Sequence, residues 1–149
     1  MKNKIGIVNL IIAVLCFGFI FIALFGEIAC FQNYINSLPE KNFEGLGAIG
    51  ILLLGIIMGF ALAVCGTLVL ISAIGCLKAA KEKTVKAQII LGFVGKILTA
   101  ICFIVYFIVM LDAYPQGIFL KVLYAIVAVA ATVASVFDCI ALQNGDLSN

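Results

Sequence analysis

Apolar side chains run along the chain in four long stretches, and short polar segments separate them. The apolar stretches cover residues 5–28, 46–77, 87–111 and 118–142. A helix needs about 20 residues to cross a bilayer core of about 30 Å, and each stretch is long enough. The stretches are continuous and do not alternate with polar residues, which favours helices over the strands of a membrane barrel. The pattern therefore predicts four transmembrane helices.

The polar segments between the stretches are short. They cover residues 31–45, 78–86 and 112–117. Pro39, Pro115 and Gly117 are typical of turns, and short connections make successive helices antiparallel neighbours. We therefore expect an all-α membrane protein, a four-helix transmembrane bundle in up-down-up-down order, with residues 1–149 forming one transmembrane domain.

The lengths of the first and second apolar stretches need separate interpretation. The first is longer than the apolar region of a signal peptide, so we expect a retained span. The second would be about 48 Å long as a helix, which exceeds the bilayer core. We expect it either to tilt and project beyond the membrane or to break at Gly66.

The placement of lysines predicts the orientation of the bundle. The side that holds both termini carries Lys2, Lys4 and the four lysines of segment 78–86. The other side carries only Lys41 and Lys121. Lysine is enriched in cytoplasmic loops. We therefore expect both termini and segment 78–86 in the cytoplasm, with the helices in the plasma membrane.

Composition supports the membrane assignment and narrows the chemistry. Hydrophobic residues make up 66% of the chain and charged residues 11%, and the mean hydropathy is +1.33. So few charges cannot cover the surface of a soluble fold. The chain has no histidine, and all nine of its basic residues are lysines, so it lacks imidazole for metal or acid–base chemistry and guanidinium for bidentate phosphate binding. We expect no catalytic residues, no metal, no cofactor and no nucleic-acid partner.

The six cysteines are scattered along the chain without metal-type spacing. A pair such as C-x-x-C is absent, so neither a zinc site nor a paired redox site is indicated. We expect these cysteines to act as small buried hydrophobic residues.

The charged residues Lys96 and Asp138 lie inside the predicted third and fourth helices. Side chains lean toward the N-terminus of their helix, so Lys96 of the third helix and Asp138 of the antiparallel fourth helix lean toward each other. We predict a direct or water-bridged pair within a polar cluster that includes Asn9 and Thr67 at similar depth. The alternative is a lysine that snorkels to the interface and an aspartate at the membrane edge.

Glu27 and Asp112 fall near the other ends of the first and third helices. They could form an acidic mouth that attracts cations. The alternative is that both are ordinary solvated acids at helix ends.

Small residues recur at four-residue spacing and predict close helix packing. They are Gly55, Gly59 and Ala63 in the second helix, and Ala130 and Ala134 in the fourth. Without apolar burial against water to drive association, helices in lipid pack through such small faces. The faces could pack the four helices together or join copies of the chain.

Comparison with known four-span proteins identifies no family. The segment LGAIGILLLGIIMG resembles the glycine-rich second span of many small four-span membrane proteins. Small multidrug resistance transporters need a glutamate within the first span, and Glu27 falls at the wrong depth. The loops are too short for claudins or tetraspanins.

The absence of catalytic groups and loop domains favours a non-enzymatic membrane protein. We expect it to act through helix–helix contacts as an accessory subunit, an immunity-type factor or a homo-oligomer in the lipid bilayer. The alternative is a small transporter or channel that uses Lys96 and Asp138 within the membrane and Glu27 and Asp112 at the mouth.

Overall fold

The chain folds into long helices, as its apolar pattern predicts. The computed structural model describes residues 1–37, 45–113 and 118–145. Over these residues the chain forms four α-helices and no strands. They are α1 (Lys2–Ser37), α2 (Gly45–Lys78), α3 (Glu82–Ala113) and α4 (Ile118–Asn144). The predicted all-helical fold class and four-helix architecture are confirmed.

Each helix contains a segment long and apolar enough to span a membrane. These segments are Lys2–Ile22, Leu52–Lys78, Glu82–Val109 and Ile118–Asn144. The outer surface is apolar as well: Phe25, Phe60 and Phe119 expose 72%, 74% and 77% of their surface. Exposing such side chains to water would cost about 25 cal/mol per Å², so lipid is the solvent that fits this exterior. The chain is a multi-pass membrane protein.

Contacts between α1 and α2 show that they run antiparallel. Gly6 near the start of α1 lies against Leu77 near the end of α2, whereas Cys16 lies against Gly66. The Nζ atom of Lys2 donates a hydrogen bond of 2.8 Å to the carbonyl oxygen of Ala79, just beyond α2. A lysine at this position satisfies a carbonyl that the helix end leaves without a partner.

The remaining helices complete the up-down-up-down order. Phe103 of α3 packs on Tyr124 of α4, while Lys96 of α3 pairs with Asp138 further along α4. We call the end of the bundle that holds the starts of α1 and α3 and the ends of α2 and α4 the terminal end. Over the described residues, α2 and α4 lie on a diagonal with no Cα atoms within 8 Å of each other, and the backbone of α1 approaches that of α4 at far fewer places than that of α2.

Three apolar clusters fill the described core, one above another along the bundle. The terminal cluster comprises Ile5, Cys76, Val85, Ile89 and Ala141. The middle cluster comprises Ile12, Ala13, Cys16, Val69 and Ala134. The aromatic cluster comprises Phe19, Met58, Leu62, Phe103, Tyr106, Tyr124, Val127 and Ala128. Polar residues interrupt this apolar core between the terminal and the middle cluster.

Helix ends extend beyond the predicted limits. The prediction placed residues 31–37 in a turn region, but α1 continues to Ser37. No proline or glycine occurs between Gly26 and Pro39, so nothing in the covalent chain stops the helix before that proline. Likewise α3 begins at Glu82, inside the predicted linker, where Glu82 pairs with Lys86 at 3.2 Å. The α2 helix is continuous through Gly66, so the alternative of a break there is wrong.

Candidate functional site

A buried ion pair joins α3 to α4. The Lys96 Nζ atom pairs directly with the Asp138 Oδ2 atom, and the two side chains are 0% and 1% exposed. Lys96 is 14 residues from the start of α3, a rise of about 21 Å. Its side chain leans back toward the terminal end, while the side chain of Asp138, on an antiparallel helix, leans the other way. Helix polarity thus brings the two charges to one level.

Asn9 of α1 extends the pair into a network that reaches all four helices. Lys96 Nζ donates a hydrogen bond of 2.7 Å to Asn9 Oδ1. Asn9 Nδ2 donates in turn to Ser72 Oγ of α2 at 2.9 Å, and Ser72 Oγ donates to the backbone carbonyl of Gln88 in α3. We call Asn9, Ser72, Lys96 and Asp138 the buried polar network. Asn9 both accepts and donates, so an amide suits this central position.

Gly92 makes room for the network one helical turn before Lys96. A Cβ atom at this position would collide with Ser72 Oγ and would lie 2.6 Å from Asn9 Nδ2. Only glycine lets the backbone of α3 approach the Asn9–Ser72 hydrogen bond so closely. Gly92 of α3 therefore belongs to the same structural unit as the buried polar network.

Apolar layers close the buried polar network on both sides along the bundle axis. The terminal cluster lies between it and the terminal end, and the middle and aromatic clusters lie between it and the opposite end. Asn9, Ser72 and Lys96 are each 0% exposed. The network has a balanced pair of formal charges and polar groups that bond one another. Chemically it can hold four helices in register, while exchange of a proton or ion with water requires the bundle to open.

The structure brings together three of the four residues of the predicted polar cluster: Lys96, Asp138 and Asn9. Thr67 is not among them, since it is exposed and its hydroxyl donates to the Ala63 carbonyl of its own helix at 2.7 Å. Ser72 takes the position on α2. The two residues are five apart, which places them about 140° apart around a helix. The predicted depth in the membrane suggested Thr67 as the α2 member of the cluster. The rotation of α2 about its axis instead points Ser72 toward Asn9.

The predicted acidic mouth falls outside the described side chains. Asp112 is next to the last residue of α3, whereas Glu27 lies ten residues before the end of α1, and both are in parts of those helices where side-chain placement is not described. The mouth therefore remains a prediction.

The predicted packing residues take several different environments. Gly55 and Ala134 are buried, Gly59 and Ala63 are half-buried, and Ala130 is exposed. Ala130 does not pack within the chain, because the buried stripe of α4 passes through its neighbour Ala131 instead.

Closer helix approaches occur at two further glycines, Gly95 of α3 and Gly6 of α1. A Cβ atom at Gly95 would lie 2.7 Å from Val69 Cγ2, and one at Gly6 would lie 2.9 Å from Leu77 Cγ. Small residues of the third helix, Gly95 among them, were expected to favour packing, whereas Gly6 had no such signal because glycine is frequent throughout membrane helices.

Candidate metal ligands do not gather in the described part of the chain. No group of three His, Cys, Asp or Glu residues there could hold a metal ion. The five described cysteines are free thiols, and Cys16 Sγ lies 3.8 Å from Thr99 Oγ1.

Comparison with known proteins gives no relative from which a role could be carried over. No protein-family model, curated protein or solved structure matches the chain.

Proposed function

We propose that this chain is a non-enzymatic plasma-membrane protein that acts by binding another membrane protein, or a second copy of itself, through its helices. It works without a cofactor and without nucleic acid, and its termini face the cytoplasm. The observation that carries the proposal is the closure of the buried polar network between apolar layers.

A translocation site needs groups that a substrate can reach from water. The two charged groups of the buried polar network, Lys96 and Asp138, are instead paired with each other, and Lys96 also bonds Asn9. This arrangement supports a rigid scaffold whose working surface is its exterior. Burial of such a pair is also a means of specifying one arrangement of helices.

One exterior surface suits contact with another helix. Gly59, Ala63 and Thr67 follow one another at four-residue spacing on α2 and are half-buried or exposed. No heavy atom of the described side chains lies within 4 Å of a Cβ atom built on Gly59. Small residues on an open face let the backbone of a second helix approach closely, which supports this stripe as the contact surface.

The test compares two glycine variants during purification in a mild detergent. Gly59→Leu places a bulky side chain on the stripe, and Gly18→Leu is its control, because Gly18 of α1 also faces open space. We expect native mass spectrometry to find a stoichiometric partner or a defined oligomer with the unaltered chain and with Gly18→Leu, but not with Gly59→Leu. An unaltered chain that purifies as a monomer without a partner would contradict the proposal.

The second candidate function is a small transporter or channel. The observation that favours it is the charged pair Lys96–Asp138 within the membrane, because intramembrane charges mark many ion and proton pathways. Flux into liposomes separates the two functions. Flux that the unaltered chain supports and Lys96→Met abolishes would replace the first proposal, whereas no flux with either protein would count against the second.

A further inference from the structure

Cysteines from two other helices meet at Thr99 of α3. The Sγ atom of Cys16 in α1 lies 3.8 Å from Thr99 Oγ1, and Cys65 of α2 shares a hydrogen bond with the same hydroxyl group. Thr99 donates its own proton to the Gly95 carbonyl oxygen at 2.7 Å, so its oxygen is left to accept protons from thiols. Thr99 therefore holds the thiols of α1 and α2 against one face of α3.

A further cysteine, Cys102, follows Thr99 by three residues and contacts Cys65. The thiols of Cys65 and Cys102 share a hydrogen bond, and we call these two residues the thiol pair. The backbones of α2 and α3 come close to each other two turns earlier in α3, where a Cβ atom on Gly95 would lie 3.4 Å from the Val69 backbone nitrogen. A disulfide requires Cα atoms about 4.4–6.8 Å apart. Close packing of α2 on α3 therefore favours a bond between the two sulfur atoms.

The surroundings of the thiol pair define which oxidant can reach it. Cys16 belongs to the middle cluster and Cys102 packs against the aromatic cluster, so apolar layers surround the pair. Cys65 is buried, whereas Cys102 is half-buried. A charged oxidant such as glutathione disulfide would have to enter the hydrocarbon, which is costly. An apolar hydroperoxide dissolves in lipid and can approach Cys102, and the disulfide that it forms leaves no charge inside the bundle.

We propose that Cys65 and Cys102 are a redox-active thiol pair, which an apolar hydroperoxide oxidises to a disulfide that joins α2 to α3. The Cys102 sulfur attacks the terminal oxygen of the hydroperoxide, the O–O bond breaks, and the thiol proton goes to the departing oxygen. The products are a sulfenic acid on Cys102 and an alcohol. The Cys65 sulfur then attacks the sulfenic sulfur, the S–O bond breaks, and water leaves with the proton of Cys65. Two electrons pass from the two thiols to the hydroperoxide.

The test treats the full chain in mild detergent with cumene hydroperoxide, which is apolar. The thiols that remain are labelled with N-ethylmaleimide after denaturation and counted by intact mass spectrometry. We expect the unaltered chain to lose two of its six thiols and to regain them on reduction with dithiothreitol. Digestion should release a linked peptide that contains Cys65 and Cys102. Cys76→Ala is the matched control, because Cys76 is a buried free thiol of the terminal cluster, and this variant should also lose two thiols.

Variants of the pair itself separate the two steps. Cys65→Ala leaves Cys102 without a thiol to resolve it, so oxidation should stop at a sulfenic acid that dimedone traps. Cys102→Ala should leave the buried thiol of Cys65 unoxidised. Protection of the buried thiol of Cys16 from maleimide before denaturation shows that each variant is folded. Absence of a disulfide in the folded, unaltered chain would overturn the proposal, as would a disulfide that includes Cys16 or joins two copies of the chain.

Discussion

Removal of the Lys96 charge is the perturbation to which the bundle should respond most strongly. Lys96→Met leaves the Asp138 carboxylate buried, at 1% exposure, and takes the donor from Asn9 Oδ1. Breaking one side of a buried ion pair costs about 3–5 kcal/mol. Insertion scales give about 2.5–3.5 kcal/mol for one charge in the membrane. We therefore expect Lys96→Met to lower the free energy of unfolding by at least about 3 kcal/mol.

Removal of both charges should cost less than removal of either one. Asp138→Leu alone leaves the ammonium group of Lys96 buried, and we expect a loss of about 3–5 kcal/mol. Lys96→Met combined with Asp138→Leu leaves no buried charge. Only Asn9 Oδ1 then lacks its donor, which costs about 1–2 kcal/mol. The double variant should therefore be more stable than each single variant, and the pair should show a coupling energy of several kcal/mol.

The assay is reversible unfolding in mixed micelles of a mild detergent and sodium dodecyl sulfate. Cys16 and Cys76 are buried free thiols, so their reactivity toward a thiol reagent reports loss of the bundle. Lys86→Met is the control, because its ion pair with Glu82 is exposed and contributes about 0.2–1 kcal/mol. Losses that simply add in the double variant, or a loss below about 1 kcal/mol for either single variant, would refute the reasoning.

Two further predictions concern packing and orientation. Gly92→Ala should lower the free energy of unfolding by about 1–3 kcal/mol in the same assay, because its Cβ atom would collide with the Asn9–Ser72 hydrogen bond. The control Gly18→Ala, whose Cβ atom meets open space, should be neutral or stabilising. Equal effects of the two substitutions would contradict this role for Gly92. Thr84→Cys, exposed at the terminal end, should resist a membrane-impermeant maleimide in intact cells and react after permeabilisation. Labelling of Thr84→Cys in intact cells would place the terminal end outside.

Hydropathy alone determined the number of helices and their approximate limits. Continuous apolar stretches of sufficient length form helices in lipid, because every backbone polar group must be paired within the chain. Helix direction followed from the short connections, and it was enough to bring Lys96 and Asp138 toward each other. The number of helices and their directions depend on the order of apolar and polar segments along the chain, and this order can be read directly from the sequence.

Tertiary structure decided which face of each helix points inward. In a soluble protein, the buried face of a helix can be recognised because the opposite face carries polar residues. Lipid and the bundle core are both apolar, so the two faces of α2 do not differ in polarity in this way. Depth alone therefore could not choose between Thr67 and Ser72, or between Ala130 and Ala131. Packing made that choice, because it set the rotation of each helix about its axis. The sites of closest approach, Gly92 among them, follow from that rotation.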